Sequence, residues 1–132
     1  PPVKPLLLCV DDTQIKSRVI NSIANAVNWD CLTLTTCSEG LDAFRALSKA
    51  NIVVGAVVLD CMLPDGKGQS LIPNIKKYFP KARIIKNSTE PWRGVKVDHE
   101  YTREKIQAFK DFLKEVAEET CEQTLCYEVK AG

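Results

Sequence analysis

Three aspartates, Asp11, Asp12 and Asp60, each stand where an apolar run gives way to polar residues. Leu6–Val10 runs into the Asp11-Asp12 pair, and Val53–Leu59 runs into Asp60. Apolar runs of this length with an abrupt polar end are the mark of strands buried on both faces, as in a parallel sheet. In open α/β sheets the chemistry collects beyond the carboxyl ends of such strands. Three carboxylates brought together there repel one another unless a cation joins them. A hard divalent ion that prefers oxygen ligands, Mg2+, suits that set.

The rest of the chain supplies elements able to hold these residues. A helix is expected from Asp12 or Thr13 to about Val27, with Ile15, Val19, Ile20, Ile23 and Val27 on its inner face. Cys31–Thr36 alternates as a strand. A second helix opens at Ser38 and turns Leu41, Ala43, Phe44 and Leu47 inward. After the central strand, Leu63–Gly68 is rich in turn residues, and a third helix covers Gln69–Tyr78 with Pro73 near its start. Ala82–Asn87 is a fourth strand, closed by Ser88. This β-α-β-α-β-α-β order calls for a parallel sheet with helices on both faces.

The stretch Asp60-Cys61-Met62-Leu63-Pro64-Asp65-Gly66-Lys67-Gly68, with its proline four and glycine eight residues after the aspartate, adds a second signal. Together with the Asp-Asp pair ending the first strand, it resembles the receiver domain of two-component response regulators. The resemblance runs from about Leu6 to Ser88 and resumes weakly in the last helix. It implies a flavodoxin-like, doubly wound five-stranded parallel sheet and a phosphoacceptor role for Asp60, with Mg2+ as cofactor. The metal would be held by Asp12 directly, by Asp11 through water, by Asp60, and by the backbone carbonyl of Met62. Ser88 would hydrogen-bond the phosphoryl group, and a cation from the fifth strand would pair with it. Lys96 lies within the expected strand and ranks first for that role. Counting back from a last helix starting near Thr102 puts His99 second.

The chain departs from the family after Ser88. Only Thr89–Tyr101 separates the fourth strand from the last helix, too little for a helix, a strand and two loops. The usual fourth helix is therefore expected to be missing. Thr89–Gly94 can span roughly 20 Å, enough to carry the chain back along a five-residue strand. Val95–His99 would then be a short fifth strand. Lys86 and Asn87, polar where the fourth strand usually buries apolar side chains, suggest that one face of this edge is uncovered. Trp92 and Tyr101 read as packing over it. The last helix should face inward with Ile106, Phe109, Phe112, Leu113 and Val116.

Length and composition narrow the function classes. The 132 residues suit a single receiver-like domain, with a core at about 6–120 and a tail or linker at 121–132. A net charge of +1 gives no reason to expect nucleic acid or an anionic membrane as partner. No apolar stretch is long enough for membrane insertion, and no leader pattern precedes Leu6. Six cysteines without a Cys-x-x-Cys pair and a single histidine, His99, argue for reduced thiols in a cytoplasmic protein rather than a zinc site. The start without methionine suggests a processed end or a fragment; with no output domain expected after the last helix, either the output was cut away or a whole chain acts by docking. The resemblance implies a histidine kinase or a histidine phosphotransfer protein as phosphate donor, and an output domain or docking partner downstream. Catalysis would go no further than the domain's own phosphorylation and dephosphorylation. The alternative is a degenerate receiver that binds partners without phosphorylation. A phosphatase using Asp60 as nucleophile is rejected, because Met62 stands where such enzymes carry a second aspartate.

Overall fold

β3 (Val54–Asp60) is buried along its whole length, and the rest of the sheet is assembled on either side of it. It lies between β1 (Leu6–Val10) and β6 (Arg83–Asn87), both parallel to it. β2 (Asp30–Leu34) and β7 (His99–Glu100) form the two edges, giving the order β2-β1-β3-β6-β7. The fold is a five-stranded, flavodoxin-like α/β sheet. A two-stranded hairpin, β4 (Met62–Leu63) with β5 (Gly66–Lys67), follows β3 directly. The computed structural model describes residues 4–131, with side chains described as far as Thr120. Cys121, Cys126 and the expected tail from 121 onward lie outside the described side chains. Among the described residues, no helix is long and apolar enough to cross a membrane.

Because successive strand residues face opposite sides, the sheet divides its side chains between two cores. Leu8, Val10, Val57, Leu59 and Ile84 pack against α2 (Cys37–Lys49) and α3 (Ile72–Tyr78). Leu7, Cys9, Ala56, Val58 and Ile85 pack against α1 (Gln14–Ala26) and α4 (Ile106–Ala131), together with Trp29.

One helix, α1, is rotated relative to its expected face, and α4 departs from its own only at its first residue. α1 turns Ser17, Ile20, Ile23 and Ala24 inward, while Ile15 is 68% exposed and Val19 is also exposed. In α4, Phe109, Leu113 and Val116 are buried, but Ile106 faces solvent. α2 begins earlier than Ser38. Thr36 is its N-cap and accepts the Glu39 N–H at 3.0 Å, while the Glu39 carboxylate accepts the Thr35 N–H at 2.8 Å. This is a variant of the Thr-x-x-Glu capping box, with the return bond made to the residue before the cap. The expected third helix divides into a 3-10 turn at Gly68–Leu71 and α3, with Pro73 in the first α-helical turn.

The fourth helix of the family pattern is absent, as the short connection requires: residues 88–98 contain neither helix nor strand. The fifth strand is shorter than Val95–His99, because only His99 and Glu100 join the ladder. Asp98 takes over the pairing one step earlier. Its N–H donates to the Ile84 carbonyl, and its carboxylate accepts the Ile84 N–H, both at 2.8 Å.

The edge beside this loop is covered, contrary to the reading of Lys86 and Asn87 as signs of an open face. Both side chains are buried. Trp92 closes over the α2/α3 side with Val95 and Val97 packed nearby, filling the space a helix would have taken. The Lys86 ammonium lies 5.8 Å from the Trp92 ring centre and 3.6 Å from the Glu100 carboxylate. Tyr101 packs on the other face, 4.9 Å from the Phe109 ring. Burying an amine costs solvation that one partly exposed carboxylate returns poorly. Lys86→Met should therefore leave the thermal midpoint unchanged or raise it. A fall of several degrees would show that the pair stabilises the domain.

Candidate functional site

Asp11, Asp60 and Asn87 stand in one row past the ends of three neighbouring strands. Each follows by two positions a residue of the α1/α4 core, namely Cys9, Val58 and Ile85, so all three belong to the same face. Asp60 and Asn87 are direct register partners, and Asp11 follows the Val10–Leu59 pair. Asp11 is 1% exposed and Asp60 8% exposed, while Asp12 reaches solvent. One carboxylate oxygen from each of Asp11, Asp12 and Asp60 lies within 4.8 Å of the others.

Hydrogen bonds fix this arrangement. The Asp11 carboxylate accepts the Thr13 N–H at 2.8 Å, setting the turn into α1, and the Asn87 amide approaches its other oxygen at 3.4 Å. Thr13 is the helix N-cap and makes no side-chain cap bond. The Asp60 carboxylate accepts the Cys61 N–H at 2.8 Å. Burial pushes the Asp11 carboxyl above its ordinary value; the Thr13 N–H opposes the rise and nearby Asp60 adds to it. A buried carboxylate that resists ionisation beside two others is an all-oxygen, electron-rich set. It fits a hard divalent cation such as Mg2+.

The loop after Asp60 is anchored rather than free. Gly68 donates its N–H to the Cys61 carbonyl at 3.0 Å, and a Cβ at Gly68 would run into the Asp60 carbonyl. That explains the glycine eight residues on. Asp65 accepts the N–H groups of Cys37 and Ser38 at the start of α2, at 2.7 and 3.0 Å, and these bonds hold its carboxyl below the ordinary range. Met62 is exposed and begins the hairpin.

Asp60 opens into a cleft of about 480 Å³. Ser88 lines it, one residue beyond the row, with its hydroxyl accepting the Glu90 N–H at 3.1 Å. The Cys61 thiol donates to the Glu90 carboxylate at 3.2 Å, tying the loop to the cleft wall. Neither expected fifth-strand cation lines this cleft. Lys96 is exposed and lines a different groove beside Val54 and Gly55, at the start of β3. Seven residues of strand separate that end from Asp60, roughly 20 Å. His99 stacks on Phe112 with ring centres 4.6 Å apart. Burial holds its imidazole below the ordinary value, with Lys105 adding to the effect. The β7-side residue that comes opposite Asn87 is the uncharged, buried Tyr101, next after the Lys86–Glu100 pair.

Two residues of the site escaped sequence reasoning. In the sequence Asn87 is only the last residue of a strand, and the sheet register shows that it, rather than Ser88, shares Asp60's row. Lys16 extends from α1 and places its Nζ 3.8 Å from Asp60 Oδ1. Its one sequence signal is its place four residues after Asp12, one helical turn on.

No known family's sequence pattern matches the chain, and no curated protein matches it. Solved structures do. A signal receiver domain of an HD domain-containing protein from Pseudomonas fluorescens Pf-5 superposes with a TM-score of 0.73 at 15% identity, over 92% of each chain. A response regulator protein from Burkholderia pseudomallei, solved with a phosphorylated aspartic acid, a calcium ion and citrate, gives 0.68 at 16% identity, over 92% of this chain and 73% of that one. The receiver domain of a sensor histidine kinase from Pseudomonas aeruginosa PAO1, with a magnesium ion in its active-site cleft, gives 0.68 at 17% identity, over 87% and 98%. At these identities the likeness is one of fold, and the fold of this chain is that of a response-regulator receiver domain.

Proposed function

We propose that the chain is a phosphoacceptor signalling switch in which Asp60 receives a phosphoryl group. The observation that carries this reading is the convergence of Asp11, Asp12 and Asp60 within 4.8 Å, at the carboxyl ends of β1 and β3 and beside an open cleft. Two of the three carboxylates are buried and serve badly as surface solubilisers, and collecting all three opposes folding unless a cation is bound. Asp11, Asp12 and Asp60 would hold that ion, with the Met62 carbonyl as a further oxygen ligand. When bound, Mg2+ supplies positive charge against the phosphoryl oxygens.

The chain's own residues supply the rest. An Asp60 oxygen is the nucleophile, and its Cys61 N–H bond fixes the carboxylate's orientation. Asn87, in the same row, and Ser88, on the rim, offer side-chain donors to phosphoryl oxygens. Gly68 and Asp65 hold the loop beneath. In transfer from a phosphohistidine, the new O–P bond forms as the P–N bond breaks, and the imidazole leaves with that bond's electron pair. A histidine kinase or phosphotransfer protein is the donor class this reading implies, in the cytoplasm, with an output domain or docking partner reading the change around Ser88–Tyr101. The reading as a phosphorylation-independent binding module drew on the missing helix. Trp92, Val95 and Val97 pack over that face, so the open sheet edge on which it drew is largely filled from within the chain.

Incubation with Mg2+ and acetyl phosphate should add one phosphoryl group per chain, seen in the intact mass as an adduct labile to base. Asp60→Asn should show none. An adduct that survives in Asp60→Asn would place the chemistry on another residue.

A further inference from the structure

We infer that Lys16, on the first turns of α1, is the cation that pairs with the phosphoryl group on Asp60. This rests on Asp60 being the phosphoacceptor. The reasoning begins with charge. Three carboxylates meet at the site, and a phosphoryl group adds roughly −1.5 to −2 at neutral pH. One divalent cation leaves that set strongly negative, so a second positive group is needed within contact distance. Lys16 meets that need: its Nζ already stands 3.8 Å from Asp60 Oδ1, and its side chain lines the cleft the phosphoryl group would enter. About half of the side chain is exposed, so the ammonium can follow an added oxygen without leaving a buried position. The positions on the other side of the site are closed to this role. Tyr101 is uncharged, His99 is stacked against Phe112, and Lys96 sits at the far end of the sheet. Arg103 also lines the cleft and is the natural control.

The step balances simply with acetyl phosphate. A lone pair on Asp60 forms the new O–P bond, and the P–O bond to acetate breaks. Acetate departs with that electron pair. Lys16 transfers no proton in the step; it hydrogen-bonds an equatorial phosphoryl oxygen, an interaction that strengthens as charge accumulates there.

The test compares wild type, Lys16→Met, Lys16→Arg and Arg103→Met at saturating Mg2+, following the initial rate of phosphoryl uptake from acetyl phosphate by intact mass. Lys16→Met keeps the stem and removes the charge. It should slow uptake about tenfold or more, the worth of one charge-assisted hydrogen bond. Lys16→Arg should retain most of the rate, and Arg103→Met should match wild type. Mg2+ affinity in the unphosphorylated state, read by titration calorimetry, supplies a second readout. Removing a cation beside the carboxylates should leave it unchanged or tighten it by up to about fivefold. A wild-type rate in Lys16→Met, the same loss in Arg103→Met, or Mg2+ binding weakened in step with uptake would each overturn the assignment. If the wild type itself takes up no phosphoryl group, the phosphoacceptor reading fails and the inference falls with it.

Discussion

Replacing Trp29 with alanine should lower the stability of the domain by about 3–5 kcal/mol, enough to leave it marginally folded. Trp29 follows α1 across a turn in which Asn28 takes a φ of 67°, and it is 1% exposed. Its indole N–H donates to the Leu113 carbonyl in α4 at 3.1 Å. The ring also lies over Gly55, where an added Cβ would stand 2.7 Å from it. Truncation would open a cavity between α4 and the sheet and remove the indole's added bond to a helix carbonyl, two costs that add. Trp29→Phe should cost less, because it keeps much of the volume and loses the hydrogen bond. Gly55→Ala should destabilise from the opposite side by forcing the ring to move. Urea unfolding measures all three. A loss under about 1 kcal/mol in Trp29→Ala would mean that the site collapses around the gap.

Mg2+ should raise the thermal midpoint of the wild type clearly at pH 7.5, weakly at pH 4.5, and not at all in Asp11→Asn. The sign follows from burial. Asp11 has its folded-state pKa raised above 3.8, chiefly because its charge is taken out of water. The folded state therefore holds this proton to higher pH than the unfolded chain does. The resulting stability is full below the unfolded value and is lost as pH rises through the folded value. Above the folded value the metal-free protein carries the charge of a buried Asp11 as a burden, which a bound cation relieves and chelation restores. Asp11→Asn removes the charge and keeps the shape, and its carbonyl can still accept the Thr13 N–H. The metal-free variant should be more stable than wild type at pH 7.5, by roughly 1–2 kcal/mol. An equal Mg2+ response in wild type and Asp11→Asn would place the ion elsewhere.

The central strands were legible because β1, β3 and β6 are buried along most of their length, and such runs stand out in sequence. The Asp-Asp pair and the Asp60-to-Gly68 spacing were legible for a related reason: each marks a point where the backbone has little freedom. What could not be read were facts of register and rotation. Asn87 and Ser88 differ by one residue, and in a strand one residue decides the face. A lysine such as Lys86 signals an uncovered face, yet the loop that replaces the missing helix brings Trp92 against its ammonium. Val95 and Val97 alternate as a strand should, but Asp98 satisfies Ile84 with its side chain and shortens the ladder. Lys16 looked like any lysine on a solvated helix face, since its relation to Asp60 exists only once α1 is packed. Ile15 and Val19 fit the inward stripe by spacing, but α1 packs on a neighbouring stripe and leaves both outward.

The bond from Trp29 to Leu113 joins residues 84 positions apart. During synthesis, therefore, the amino-terminal four-fifths of the domain emerges from the ribosome with Leu7, Cys9, Ala56, Val58 and Ile85 covered on their side of the sheet by α1 alone. Those side chains wait for Phe109, Leu113 and Val116 to complete the cover. The fold closes late and from its carboxyl side. For a nascent chain, the interval before α4 docks is when a sticky sheet face is on offer to chaperones and to other unfinished copies.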